Sequence, residues 1–352
     1  MVLKKNTLGL KNQNNTNVLF KNNCLITNRK RMLPKMKIQK TAIVFSTILL
    51  ALVSCKSSYT RIGDENANYI PYYLKVYEAD SLFIVGDYQR SYEILDSLFK
   101  KYEPLDIDIY YEYKTYLISK HKTGRHITKK EFEQLILKFG YDNIQIVNND
   151  DLKTLFVKFD ISDVDYTQLR NQHLNSLDME LRREIITMKE QDQKYRIGGR
   201  SNEDVQNQNK IDSVNTLKMI DVFEKIGFPN KNVIGGFNID DTHVNCSTIL
   251  LHTKDSIRLS YFAPKIKEFI SKGTASPKLY GTLIDQYFIY KNQEQYYGTY
   301  KNSPISSITV NELNKRRKEI GLSNYVYEDW RMEQLYPEQY KLMKEQLKIN
   351  NN

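Results

Sequence analysis

Residues 71–104 read PYYLKVYEADSLFIVGDYQRSYEILDSLFKKYEP, and the fold class follows from how this stretch spaces its apolar side chains. Leu74, Tyr77, Ser81 and the Phe83-Ile84 pair recur at the period of one α-helical face. Gly86-Asp87 interrupts them with a turn. Tyr88, Tyr92, Leu95, Leu98 and Phe99 then rebuild an apolar face, until Pro104 ends it. The spacing predicts two amphipathic helices folded back on one another.

Working outward, small and aromatic residues around a Gly-Asp-Tyr turn, then an apolar helix and a proline, resemble a tetratricopeptide-type hairpin. Gly86, Tyr88 and Pro104 stand at the matching places, and Ser91 stands where that pattern prefers Ala. Residues 107–119, with Tyr110, Tyr113 and Tyr116 on one side, predict a third helix packed on the pair. Thr128 is placed to cap a helix over residues 128–139, with Gly140 as its left-handed stop. Asp150-Asp151 opens another helix. From Asp165 the stripe Leu169, Leu177, Leu181 and Ile185 predicts a long helix over residues 166–195. A Gly-Gly-Arg-Ser-Asn break precedes a further helix over residues 205–226, which ends before Gly227 and Pro229. Strand signals are confined to Val233-Ile234, Phe288-Ile289-Tyr290 and Tyr296-Tyr297. The expectation is a mainly α protein, with a helical array over residues 69–160 and a mostly helical C-terminal domain with few short strands over residues 161–348.

The formal charge of +10 belongs to the start of the chain. Residues 1–54 hold ten lysines and arginines and no acid, so the remaining 42 basic residues balance all 42 acidic ones. A neutral body has no net field to draw a polyanion, and a nucleic-acid partner is not expected. Residues 42–53 form an apolar run behind Lys35, Lys37 and Lys40, too short for a spanning helix and suited to a signal segment. The run ends in Leu52-Val53-Ser54-Cys55, which resembles the lipobox of bacterial lipoproteins. That resemblance implies cleavage before Cys55, acylation of its thiol and anchoring in the cell envelope, at the outer membrane facing the periplasm. Met36 directly precedes a basic start, so translation is expected to begin there. Residues 55–68 read as the lipidated Cys and a polar tether. With Cys24 removed and Cys55 acylated, Cys246 has no partner for a disulfide.

Further along stand Asp192-Gln193-x-x-Arg196, Gly227-Phe228-Pro229 with Gly235, His252-x-x-Asp255, Leu283-x-Asp285 and Gln295-x-Tyr297-Gly298-Thr299, followed by Arg316 and Gly321-Leu322. In this order they resemble an uncharacterised bacterial domain family whose signatures run Asp-Gln-x-x-Arg, Gly-Trp-Pro, Gln-His-x-Asp, Asp-Arg and Tyr-Gly-Thr-Gln. The resemblance covers about residues 175–325 and brings no assigned activity. Gln286 stands where the family has Arg, Tyr300 where it has Gln, and Leu251 precedes the histidine in place of Gln. A site built on this motif has lost a cation and an amide.

Two readings of these residues stand side by side. A carboxylate that orients an imidazole makes a general base or a metal ligand, which would put His252 with Asp255 and Asp285, and Asp192, Asp285 and His243 in a metal shell. Alternatively His252 hydrogen-bonds inside the domain, Asp255 caps a helix over residues 256–271, and Asp192 pairs with Arg196 at i, i+4. Gln295, Tyr297 and Thr299 flank Gly298 in a turn that either approaches a ligand or supplies positive φ. Cys246 is either a nucleophile or a buried inert thiol. Asp160-x-x-Asp163-x-Asp165 lacks the glycine and distal glutamate of a calcium loop and suits helix capping. No phosphate loop, Gly-x-Ser-x-Gly or zinc cysteine pair is present, and neither metal nor cofactor is expected. The leading expectation is a lipid-anchored binding or scaffold module that uses the helical array over residues 69–160 as its contact surface for an envelope protein or other envelope component. Its rival is an envelope hydrolase centred on His252, Asp255 and Asp285.

Overall fold

The computed structural model describes residues 59–196, 201–301, 305 and 307–350. Leu52, Val53, Ser54 and Cys55 lie outside the described residues, as does the rest of the segment expected to be a signal. The described chain is mainly α-helical. Among the described residues no helix is long and apolar enough to cross a membrane.

The predicted hairpin is α1 (Ile70–Ile84) and α2 (Tyr88–Phe99). Gly86 turns between them at φ 82°. Asp87 caps α2 by accepting from the Arg90 amide. The inward face of α1 sits beside the expected one: Tyr72, Tyr73, Val76, Ala79 and Asp80 are buried, while Leu74 and Tyr77 are half-buried. Ser91 is the residue that lets the two helices close, and its hydroxyl donates to the Ala79 carbonyl at 2.9 Å.

Next come α3 (Glu112–Lys122), α4 (Lys129–Leu137), α5 (Asn143–Val147), α6 (Asp150–Lys158) and α7 (Asp163–Asn175). The third helix begins later than predicted, because residues 105–111 form an irregular loop with Asp106, Ile109 and Tyr111 at positive φ. Thr128 and Glu131 make a reciprocal capping box at the start of α4, worth about 1 kcal/mol. Gly140 does end the helical turn in the left-handed region, and a Cβ there would lie 2.2 Å from the His173 ring.

The long helix predicted over residues 166–195 is two helices, α7 and α8 (Met179–Lys194). Asp178 breaks the run: its side chain caps α8 through the Leu181 amide, and its own amide donates to the Val233 carbonyl. The chain continues through α9 (Asn202–Lys225), α10 (Lys231–Ile234), α11 (Ser247–Leu251) and α12 (Asp255–Ile257). A π-helical segment, Arg258–Phe262, joins α12 to α13 (Ala263–Ser271). Then follow α14 (Pro277–Tyr290), α15 (Val310–Glu319), α16 (Tyr327–Leu335) and α17 (Pro337–Asn350). The short strands expected at residues 233–234, 288–290 and 296–297 do not form. The first two lie within α10 and α14, and the third is held in an irregular loop by side-chain acceptors. The one bridge among the described residues joins Thr60 to Tyr102.

The main hydrophobic cluster among the described residues runs from Tyr69 to Leu283 and draws on both the expected array and the expected C-terminal domain, with smaller clusters around Ile185 and around Tyr297. The hairpin is stitched to later elements through tyrosine hydroxyls. Tyr73 donates to the Ala275 carbonyl at 3.0 Å, and Tyr77 donates to the Gly321 carbonyl at 3.0 Å. The stretch read as a free tether is already docked from Thr60 onward: Thr60 donates to the Lys101 carbonyl, and Gly63 to that of Lys272.

Candidate functional site

Asp285 lies on α14 with its carboxylate fully buried. Its Oδ1 accepts the amides of Tyr296 at 2.8 Å and Tyr297 at 2.7 Å. Its Oδ2 accepts the amide of Thr299 at 2.8 Å and its hydroxyl at 2.7 Å. Gln295 spans the same loop, accepting the Tyr300 amide at 2.7 Å and donating to the Tyr300 carbonyl at 2.7 Å. Arg317 clamps the far side by donating to the Tyr297 carbonyl at 2.7 Å. Gly298 is required at φ 66°, where a Cβ would lie 3.0 Å from the Tyr325 ring. Burial, and then the neighbouring Tyr280, raise the phenol of Tyr297 well above its usual range, so it stays protonated. Asp285, Gln295, Tyr297 and Thr299 therefore converge, as a loop built around one carboxylate.

The imidazole finds a different partner from the expected ones. His252 closes α11, and its Nδ1 lies 2.8 Å from Oδ2 and 3.0 Å from Oδ1 of Asp192, a buried residue on α8. Gln193 donates to the same carboxylate at 2.6 Å. The expected Asp192–Arg196 pair is present at 3.5 Å, but Arg196 makes its shorter bond to Asp212 at 2.6 Å. With Nδ1 held at the Asp192 carboxylate, Nε2 is the ring nitrogen left over. That nitrogen has no hydrogen-bond partner among the described residues, and the side chain is 23% exposed.

Asp255 is engaged elsewhere, which corrects both its pairing with His252 and its role as a cap. It is the first residue of α12 and forms an ion pair with Arg258 in the π segment. Arg258 is buried and donates also to the Leu251 carbonyl at 2.8 Å and to the side-chain oxygen of Gln286. Gln286 in turn donates to the Tyr290 hydroxyl at 3.3 Å. A guanidinium thus sits against position 286, delivered from position 258. The trio of His252, Asp255 and Asp285 is not one hydrogen-bonded constellation; each carboxylate serves a separate neighbour.

No three His, Cys, Asp or Glu side chains among the described residues are placed to hold a metal ion, so Asp192, Asp285 and His243 do not form a shell. His243 contributes its carbonyl to Lys189. Burial pushes the Cys246 thiol up to about 12, which keeps it protonated and unreactive. Near Asp163 and Asp165 the cap is Ser162, whose hydroxyl accepts the Asp165 amide.

Two charged constellations have no counterpart in the motif reading. Arg182, fully buried on α8, donates to the carbonyls of Ile234 at 2.8 Å and Thr242 at 3.1 Å and forms an ion pair with Asp240, so it cradles residues 234–242. The loop over residues 105–111 encloses Asp106 and leads into buried Glu112. Glu112 accepts from the Tyr72 hydroxyl and from the Ile107 amide, each at 2.7 Å. Lys231 from α10 donates to the Asp106 carbonyl and lies 3.5 Å from its carboxylate and 3.3 Å from that of Asp108. Burial first, and the Asp106 charge second, raise Glu112 to about 7. Burial also raises Asp106, while the surrounding carboxylates outweigh burial at Lys231 and raise its ammonium. Arg331 ties the loop to the C-terminal helices by donating to the Ile109 carbonyl at 2.8 Å and to Asp80 at 2.7 Å. Only the three non-glycine residues at positive φ mark this loop locally, and no sequence pattern announces them.

Compared with protein-family models, with curated proteins and with solved structures, the chain matches none.

Proposed function

We propose that this chain is a lipid-anchored protein of the bacterial cell envelope, acylated at Cys55 and facing the periplasm from the outer membrane, that acts as a binding or scaffold module. In place of the helical array expected as the contact surface, we put the contact on the domain resembling the uncharacterised family, on a body that includes the tetratricopeptide-like hairpin. The observation behind the binding role is the Asp192–His252 pair, with one ring nitrogen fixed by a buried carboxylate and the other uncommitted at a part-exposed position. His173 shows the alternative. It is buried against Gly140, with Nδ1 at the Leu137 carbonyl, and burial lowers its pKa. The groups around His252 satisfy one another, and a surface already ordered loses less freedom on binding. The partner is an envelope protein or other envelope component.

The same geometry favours a second reading, a hydrolase in which His252 takes a proton from water at Nε2. Asp192 would then be its orienting group. Asp255 and Asp285 would act only as positioning residues, for Arg258 and for the loop over residues 295–300.

Two experiments test these readings. Cys55→Ala is expected to move the protein out of the membrane fraction, and unchanged fractionation rejects the anchor. Photo-crosslinking in cells from position 254, exposed two residues after His252, is expected to give an adduct that disappears in His252→Ala at an unchanged melting temperature. The same probe at Val164, 76% exposed on α7, is expected to give none. An adduct that survives His252→Ala rejects His252 as the contact residue. A partner recovered cleaved by the original chain and intact from His252→Ala replaces the binding reading with the hydrolase.

A further inference from the structure

A second surface carries groups arranged for a ligand. It is a shallow, open depression beside the π segment, lined by Asp255, Ser256, Leu259, Ser260, Tyr287 and Lys291. π-helical turns are rare and concentrate at functional sites, because the extra residue re-aims the side chains around it. Here the turn delivers Arg258 inward, where it is only 1% exposed. The guanidinium fixes Asp255 at the rim, and Gln286 and Tyr290 continue the chain of hydrogen bonds behind it. Asp255 keeps 39% of its side chain exposed. Tyr287 forms one wall, and the Lys291 ammonium lies 5.9 Å from its ring centroid. Lys291 has no carboxylate partner among the described residues.

The chemistry of the lining selects among ligands. An apolar peptide or acyl chain would leave Lys291 and two serine hydroxyls unpaired and would cover the Asp255 oxygen that Arg258 does not engage, at a desolvation cost. A polyphosphate would face the fixed Asp255 carboxylate. A pyranose ring satisfies every group: its C–H face lies on an aromatic ring, its hydroxyls donate to a carboxylate, and serines complete the contacts. An uncompensated lysine adds a preference for an acidic sugar.

We propose that this depression is a subsite for a carboxylate-bearing sugar of an envelope glycan. Tyr287 stacks on the ring, Asp255 accepts its hydroxyls, and Lys291 pairs with its carboxylate. The choice of an envelope glycan rests on the envelope placement proposed above; the subsite itself does not use His252.

Calorimetric titration of the full chain with N-acetylmuramic acid, N-acetylglucosamine and inorganic phosphate tests the assignment. Saturable binding of N-acetylmuramic acid is expected, weakened about tenfold by Tyr287→Ala. Lys291→Gln is expected to weaken the acidic sugar about fivefold and to leave N-acetylglucosamine unchanged. Lys291 is exposed, so its variant keeps the test decisive even where Tyr287→Ala impairs folding. Absence of saturable binding by either sugar overturns the proposal. So does displacement by equimolar phosphate, which would mark a simple anion site, or an equal effect of Lys291→Gln on both sugars. His252→Ala is expected to leave sugar binding intact. A chain that fails with the sugars yet keeps its His252-dependent crosslink rejects this subsite alone.

Discussion

Two loops of this protein are each built around buried carboxylates, and they solve the problem in opposite ways. In the loop over residues 295–300, Asp285 receives four donors, all from residues within fourteen positions of it. In the loop over residues 105–111, burial raises both Asp106 and Glu112, the Asp106 charge raises Glu112 further, and their counter-charge, Lys231, comes from 125 residues along the chain. Local donors bring a charge to rest inside a protein at little cost, because the amides they use would otherwise need partners themselves. A remote lysine compensates charge only when the whole fold is assembled. One loop is therefore self-contained, and the other reports on tertiary integrity.

The largest blow to that contrast is Asp285→Ala, which strands three amides and a hydroxyl and is expected to cost about 4 kcal/mol in urea denaturation at any pH near neutrality. Lys231→Met is expected to cost about 3 kcal/mol at pH 8 and clearly less at pH 5, where the acid pair holds a proton. If both variants show the same flat pH dependence, the distinction between the loops collapses. Glu112 supplies the sign: its folded value of about 7 lies above the ordinary 4.5. The stability it lends is fully present below pH 4.5 and is lost as pH rises through about 7, by about 3 kcal/mol. Glu112→Gln is therefore expected to flatten the unfolding free energy between pH 5 and 8, whatever it does to the absolute level; an unchanged slope refutes the assignment. Arg258→Gln and Gln286→Arg are each expected to lose about 2 kcal/mol, and the double exchange to recover half of the summed loss, since a guanidinium then again faces an amide. The smallest effect is expected at His252, where replacement by Ala should move the melting temperature by less than about 2–4 °C, the shift for one kcal/mol in a domain of 150–250 residues.

What could be read from the sequence follows the same division between near and far. The hairpin over residues 71–104, the Thr128 cap and the Gly140 stop depend on neighbours and were legible. The inward face of α1 was displaced toward Tyr72 and Tyr73, because those rings are buried through hydroxyl contacts to Glu112 and Ala275 that no helical period encodes. The break at Asp178 was hidden by an apolar stripe that continues in phase across it. Asp285, Gln295, Tyr297 and Thr299 were picked out together, although their role is to shape a loop. The partners of His252 and Gln286 could not be read, since Asp192 lies 60 residues and Arg258 28 residues away. Arg182, Lys231 and Arg331 were missed for the same reason: a buried cation announces itself only through the carbonyls and carboxylates it meets in space.

The docking of Thr60 sets a limit on reach. Its carbonyl accepts from Glu103 and from the Tyr69 hydroxyl, so the chain is held against the fold five positions after Cys55. Five residues, however extended, span no more than about 18 Å. If Cys55 carries the proposed acyl chains, Thr60 would stay within that distance of the lipid. Under that proposal, whatever the protein binds would have to be met at the membrane.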